Sequence, residues 1–248
     1  PFQDVKLSSS DISTLQHGKP VLKQQQQGSS AAGGTALCIQ DVAAPPAAVW
    51  NQILNLPAYK GKVPKVKECI NYKVDGTRIG TKMVLNVLPG YNVCIHPFCG
   101  KRLLLTHTHI HFTQYESYYD HTFHPTHNSL TWTLDYAKTS DMDDVSGHWH
   151  VEALDDSSSK SRVWYACDIR LKGNVPRPIL NYLSKAALQT ATAWVKRHAE
   201  MHPNESKVAK DYGYDMSSKR SGSTTTKQSA EATVPRRGGL WRLDTNQQ

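Results

Sequence analysis

The sequence contains no stretch approaching the roughly 18 consecutive apolar residues that a membrane-spanning helix needs, and its longest apolar runs are strand-sized. The chain is therefore expected to be soluble or peripheral. It also lacks a Gly-rich phosphate loop and a Gly-x-Ser-x-Gly elbow, which removes the usual nucleotide and serine-hydrolase readings. Basic clustering is scarce. The net charge is +8, yet no five basic residues run together, so a nucleic-acid partner is not expected. Cysteine gives no framework either: Cys38, Cys69, Cys94, Cys99 and Cys167 are odd in number and contain no Cys-x-x-Cys pair. Buried free thiols in a reducing compartment are the expected state, with Cys94 and Cys99 the two that could join in an oxidising one. The chain opens on Pro1. An upstream targeting segment for an organelle, mitochondrion or plastid, could therefore have been lost.

Hydrophobic residues make up only 38%, which suggests an ordinary core diluted by polar flanks. Residues 1–34 contain Ser8-Ser9-Ser10, glutamines 24–27 and the Gly/Ser/Ala run 28–34. They are expected to be disordered, having little to bury. Residues 203–248 resemble them, with eight Lys/Arg against five Asp/Glu. Arg236-Arg237-Gly238-Gly239-Leu240-Trp241-Arg242 is their distinctive patch. It could make a weak contact with an anionic membrane but falls short of a polybasic anchor.

The folded unit is expected at 35–202. Residues 35–42 read as a strand. After Pro45-Pro46, the spacing of Val49, Trp50, Ile53 and Leu54 puts four apolar residues on one helical face. Residues 67–74 read as a strand closed by the turn signal Asp75-Gly76. From there the pattern is mostly period two. Leu130, Trp132, Leu134 and Tyr136 share one parity, as do Trp149, Val151 and Ala153, and Val163, Tyr165, Cys167, Ile169 and Leu171. An antiparallel sheet with one apolar face produces such alternation. Asp141-Met142-Asp143-Asp144 reads as a turn. The period then changes: Leu180, Leu183, Ala187, Ala191, Trp194 and His198 recur at spacings of three and four. They mark one long helix, stopped by Pro203. A long sheet with one apolar face must cover it, and only this C-terminal helix is long enough. The fold class is α+β.

Several strings, in this order, resemble the START-like (SRPBCC) superfamily, in its polyketide cyclase and coenzyme Q-binding branch. They are Val42-Ala43-Ala44-Pro45-Pro46 leading to Val49-Trp50, and Tyr59 ahead of Val63-Pro64-Lys65-Val66. Leu130-Thr131-Trp132-Thr133-Leu134-Asp135-Tyr136, the Asp141 to Trp149 hairpin, and Gly-x-x-Pro-x-Pro-Ile-Leu at 173–180 complete the series. The resemblance implies a helix-grip (Bet v 1-like) fold, a curved antiparallel sheet around a long C-terminal helix enclosing a lipophilic cavity. Members bind lipids, quinones, polyketides or hormones, and some are enzymes, so fold alone does not fix function.

On that reading the cavity lining is Trp132, Leu134, Tyr136, Trp149, Val151, Tyr165, Cys167, Leu183, Ala187 and Trp194. An ordinary filled core would show the same face, but Ala186, Ala187, Ala191 and Ala193 on the covering helix leave room. His107, His109 and His111 alternate on a predicted strand. One His-x-His pair could reach a single metal, but the outer two would be ~13 Å apart, and a third ligand from His121, His124 or His127 would be needed. No metal and no cofactor are expected. Asp135, His148, His150 and Arg170 point away from the apolar face by parity, which weighs against catalysis. The expectation is a monomeric, non-enzymatic carrier of a quinone, lipid or isoprenoid. A cyclase-like enzyme and an interaction module with a filled core are the alternatives.

Overall fold

The structure, a computed structural model, describes the backbone of residues 5–25, 35–91, 110–171 and 177–215. It describes the side chains of 5–23, 37–86, 114–170 and 188–215. Eight strands form one sheet: β1 (Val21–Gln25), β2 (Thr35–Val42), β3 (Val66–Asp75), β4 (Arg78–Tyr91), β5 (Ile110–His124), β6 (Ser129–Leu134), β7 (Met142–Ala153) and β8 (Ser161–Leu171). Their order is β1-β2-β8-β7-β6-β5-β4-β3, with every neighbour antiparallel. The helices are α1 (Ser9–Gln16), α2 (Pro46–Leu54), the kinked single turn α3 (Tyr59–Lys62), α4 (Arg177–Met201) and α5 (Lys207–Asp211). Strands β3 to β8 run as a meander, and β2 closes onto β8 to bring α2 and α4 over the same face.

The period-two reading selects the inner face. Directly paired residues share a face of the sheet, so the register carries His121 to Trp132, Trp132 to Gly147 and Gly147 to Cys167. One row on, Phe123, Leu130, Trp149 and Tyr165 are paired in the same way. Irregularities in β3, in β4 and at the start of β7 add local bend and twist. The last of these overturns the turn reading of Asp141 to Asp144. Met142 already pairs with Leu171 and is buried, because the shift between Met142 and Asp144 turns it inward.

Pro46 opens α2, and all nine residues of that helix are buried, including Asn51 and Gln52. The one-sided helix that the spacing suggests is covered on its polar side too. Asn51 Oδ1 accepts the Val208 N–H at 2.8 Å, and the amides of Asn51 and Gln52 reach Glu205 Oε2. Tyr214, 4% exposed, packs on Trp50 and Phe123. The expectation of a disordered flank from 203 therefore needs correction: residues up to Asp215 belong to the same compact unit. Residues 216–248, and Arg236 to Arg242 with them, lie outside the described residues.

The N-terminal flank needs the same correction. Ser8 and Asp11 form a reciprocal capping box at the start of α1. Gly18, at φ +74°, ends the helix in the left-handed conformation that glycine adopts without strain. Leu15 and Val21 then pack with Leu37, Ile39 and Trp164 on the outer face of the sheet. That layer explains why Trp164, outward by parity, is buried. Leu15→Ala should cost about 2 kcal/mol, the low end for a buried leucine, because a short helix with one buried side chain can settle into the space. Urea unfolding measures it. A cost under about 0.5 kcal/mol, the range of ordinary surface substitutions, would mean that α1 does not cover this face.

Candidate functional site

The inner face is built of rings. Trp132 stacks on Tyr165 with centroids 5.6 Å apart and planes 15° apart. Trp149 lies 4.1 Å from Tyr165 on a 33° tilt, and His121 lies 6.2 Å from Trp132 on a 29° tilt. The column His121, Trp132, Tyr165, Trp149 thus spans four strands. Gly147 makes it fit: a β-carbon there would sit 1.8 Å from Trp132 Cζ2. The indole covers the glycine and fills the place of its missing side chain.

Around the column two kinds of residue alternate. Leu134, Val145, Trp149 and Val151 are closed off. Met83 and Leu85 on β4, Tyr165, Cys167 and Ile169 on β8, and Ala191 on α4 pack against the same core yet are only half-buried. Above them Tyr59 and Trp194 meet edge-on at 4.8 Å. The Tyr59 hydroxyl donates to Ile53 O at 2.8 Å.

Of the residues the sequence singles out, Trp132, Leu134, Trp149, Val151, Tyr165, Cys167 and Trp194 come together on this face. Tyr136 does not. It is 71% exposed and bonds Asp144 Oδ1 at 2.8 Å, because β6 ends at Leu134 and the alternation ends with it. Leu183 and Ala187 lie on α4, but their side chains are outside the described residues, as is that of Ala186. Ala193 is exposed and leaves no room inside. The helix stripe is also wider than the spacing suggests: Leu188, Thr192, Val195 and Ala199 are buried beside Trp194.

Strand β5 supplies what the sequence reading missed. Ser117, Tyr119, His121 and Phe123 all face inward and are buried. Both parities of this strand are polar, so periodicity gave no apolar face to follow. The available signal was that Glu116 and Asp120 share the other parity. Those two carboxylates sit on the outer face, paired with Lys82 and Arg78.

His121 Nδ1 lies 3.3 Å from Ile79 O. A carbonyl only accepts, so Nδ1 carries the proton and Nε2 keeps a lone pair. Burial pushes the imidazole down to about 4, against the weaker opposing pull of the Ile79 carbonyl and of Asp120. It is neutral at neutral pH. Burial likewise raises the thiols, to about 12 for Cys69 and Cys167 and about 11 for Cys38, and raises Tyr59, Tyr119 and Tyr165. None of these cysteines is a thiolate nucleophile.

His107 and His109 lie outside the described residues, and of His111 only the backbone, in β5, is described. Among the described residues no three His, Cys, Asp or Glu side chains converge on one point. No helix among them is long and apolar enough to cross a membrane.

This architecture is the helix-grip fold of the START superfamily. The human StarD13 (DLC2) lipid transfer and protein localization domain shares it. Its TM-score is 0.50 at 15% identity, over 78% of this chain and 98% of that one. A START superfamily protein from Mycobacterium smegmatis matches with a TM-score of 0.50 at 13% identity, over 67% of this chain and 97% of that one. No protein-family model matches the sequence, and none of the curated proteins matches it.

Proposed function

We propose that the chain binds a hydrophobic small molecule, a lipid, isoprenoid or quinone, between the inner face of the sheet and α4. The observation that carries this reading is the half-buried state of Met83, Leu85, Cys167 and Ile169, apolar residues that point inward and are still not covered. A close-packed core leaves such side chains no accessible surface. Apolar walls with a few polar groups are what a small-molecule site is made of. The lipid-transfer description of the StarD13 domain is in keeping with it.

One observation favours a second reading, an enzyme of the cyclase kind: His121 is an ionisable group on the inner face. A base poised near 4 is weak at neutral pH, where catalysis favours one near the operating pH. Binding is therefore the reading placed first.

The test is native mass spectrometry of the full chain, since residues 5–25 and 203–215 pack onto the fold, with organic extraction of whatever co-purifies. Uptake from a mixed lipid extract is expected. Ile169→Trp, which fills the space with an indole, should lower uptake at least tenfold while cooperative unfolding persists. Undiminished uptake by that variant would refute the placement of the ligand, and an empty protein after exposure to the extract would refute the reading.

A further inference from the structure

The inner face combines two features that together restrict what it can hold. The first is an absence of charge among the described residues. From β3 come Cys69 and Asn71, from β4 Ile79, Thr81 and Met83, from β5 Ser117, Tyr119 and His121, from β6 Trp132 and Leu134. Strands β7 and β8 bring Val145, Gly147, Tyr165, Cys167 and Ile169, and the helical side brings Tyr59, Ala191 and Trp194. The ionisable groups in this set are tyrosines, cysteines and one histidine, each shifted toward its neutral form. Lys196, at the far end of α4, is committed to Asp41 O and Glu200. Among the described residues a carboxylate brought here would meet no cation, and an unpaired buried charge is costly.

The second is a buried acceptor, with a weakly held hydroxyl on the next inward residue of the same strand. His121, 5% exposed, spends Nδ1–H on Ile79 O and has Nε2 left as an acceptor. Tyr119, whose ring centroid is 6.0 Å from that of His121, has as its hydroxyl's acceptor the sulfur of Met142, at 3.7 Å. A thioether accepts weakly, so this hydroxyl exchanges it for an oxygen at little cost. A ligand hydroxyl has a proton to donate to Nε2, which a ketone oxygen and a hydrocarbon lack.

We propose that His121 is the anchor that receives the hydroxyl proton of the ligand, and that this ligand is an uncharged amphiphile with a hydroxyl head, an isoprenoid or sterol alcohol or a phenol, rather than a fatty-acid carboxylate. The proposal rests on the cavity reading above.

Three matched probes separate the two. The full chain is titrated at neutral pH with pyrenyl-decanol, pyrenyl-decanoate and decylpyrene, and tryptophan-to-pyrene energy transfer is read. The alcohol should bind roughly tenfold more tightly than the hydrocarbon, the scale of one neutral hydrogen bond. The carboxylate should bind most weakly. His121→Phe keeps a ring in the stack. In that variant the alcohol should bind no more tightly than decylpyrene does to the same variant. Equal binding of alcohol and hydrocarbon, or tightest binding of the carboxylate, overturns the anchor while the cavity stands. So does an alcohol advantage that survives in His121→Phe. If that variant fails to fold, the ranking of the three probes on the unaltered protein decides. Binding of none of the three overturns the cavity reading and the anchor with it.

Discussion

Gly147→Ala is expected to destabilise the fold by about 3 kcal/mol, at the upper end of what overpacking costs, although it adds a single methyl group. The added carbon would lie 1.8 Å from Cζ2, 2.2 Å from Cε2 and 2.4 Å from Cη2 of Trp132. Real contacts never come that close, so the indole has to move. It has little freedom to do so, with His121 stacked on one side and Tyr165 on the other. For a domain of about 200 residues each kcal/mol shifts the melting temperature by roughly 2–4 °C, and the expected fall is therefore about 6–12 °C. A double-mutant cycle identifies the cause. Trp132→Leu, whose side chain ends at the δ-carbons, removes the three atoms in collision, so Gly147→Ala should cost under about 1 kcal/mol in that background, a coupling well above the usual error of additivity. Additive losses would show that the glycine serves the backbone and not the ring.

The alternation that made the sheet legible is a burial pattern, and it fails where burial has a second source. Trp164 reads as an outward residue, and it is one. What hides it is α1, a helix of eight residues with low average hydrophobicity. Only Leu15 on it is buried, too little for a periodicity to register. The segment after α4 was equally silent. Its hold on α2 is half polar, through Asn51, Gln52 and Glu205, and such hydrogen bonds leave no spacing rule in the sequence, while its apolar half rests on the scattered Ala209 and Tyr214. Tyr136 failed for a different reason. Parity predicts direction only inside a strand, and Asp135 already caps the turn, with its carboxylate on Ala137 N–H and the Tyr72 hydroxyl.

For the site, the apolar half was legible and the polar half was not. Trp132, Trp149, Tyr165 and Cys167 were readable because strands with one wet face expose their inner residues by contrast. On β5 the contrast is lost, since His121 and Ser117 are polar and inside while Tyr118 and Thr122 are on the other face. The same polarity that erases the pattern supplies the one histidine among the inner-face residues described. A buried polar residue costs stability unless it is satisfied, and His121 has one nitrogen satisfied by the protein and the other left to a ligand. Sequence periodicity reads what stability selects. A group held against that trend becomes visible only when the register places it.

The protein should lose about 3 kcal/mol of stability between pH 6.5 and pH 4 on account of His121 alone. In the unfolded chain this imidazole protonates near its ordinary 6.5, and in the folded protein only at about 4. Between those values the unfolded state binds the extra proton, so stability rises with pH across the window and falls as the solution is acidified. Two and a half units at 1.36 kcal/mol each give the magnitude. His148, on the outer face, is pushed to about 4 by burial and then by its histidine neighbours, and acts in the same direction. The carboxylates held low by their partners, Glu116 by Tyr118 and Lys82, Asp135 by Tyr72, add a loss in the same direction that begins as the pH falls through their ordinary values of 4.5 and 3.8. The difference in unfolding free energy between the unaltered protein and His121→Phe, measured in urea at half-unit steps of pH, isolates the histidine. It should change by about 3 kcal/mol from pH 7 to pH 4 and level off below. A flat difference would show that the imidazole is solvated and protonates as freely folded as unfolded. Such an imidazole would not be the buried acceptor that a hydroxyl-bearing ligand requires, so this curve, which needs no ligand, bears directly on the anchor.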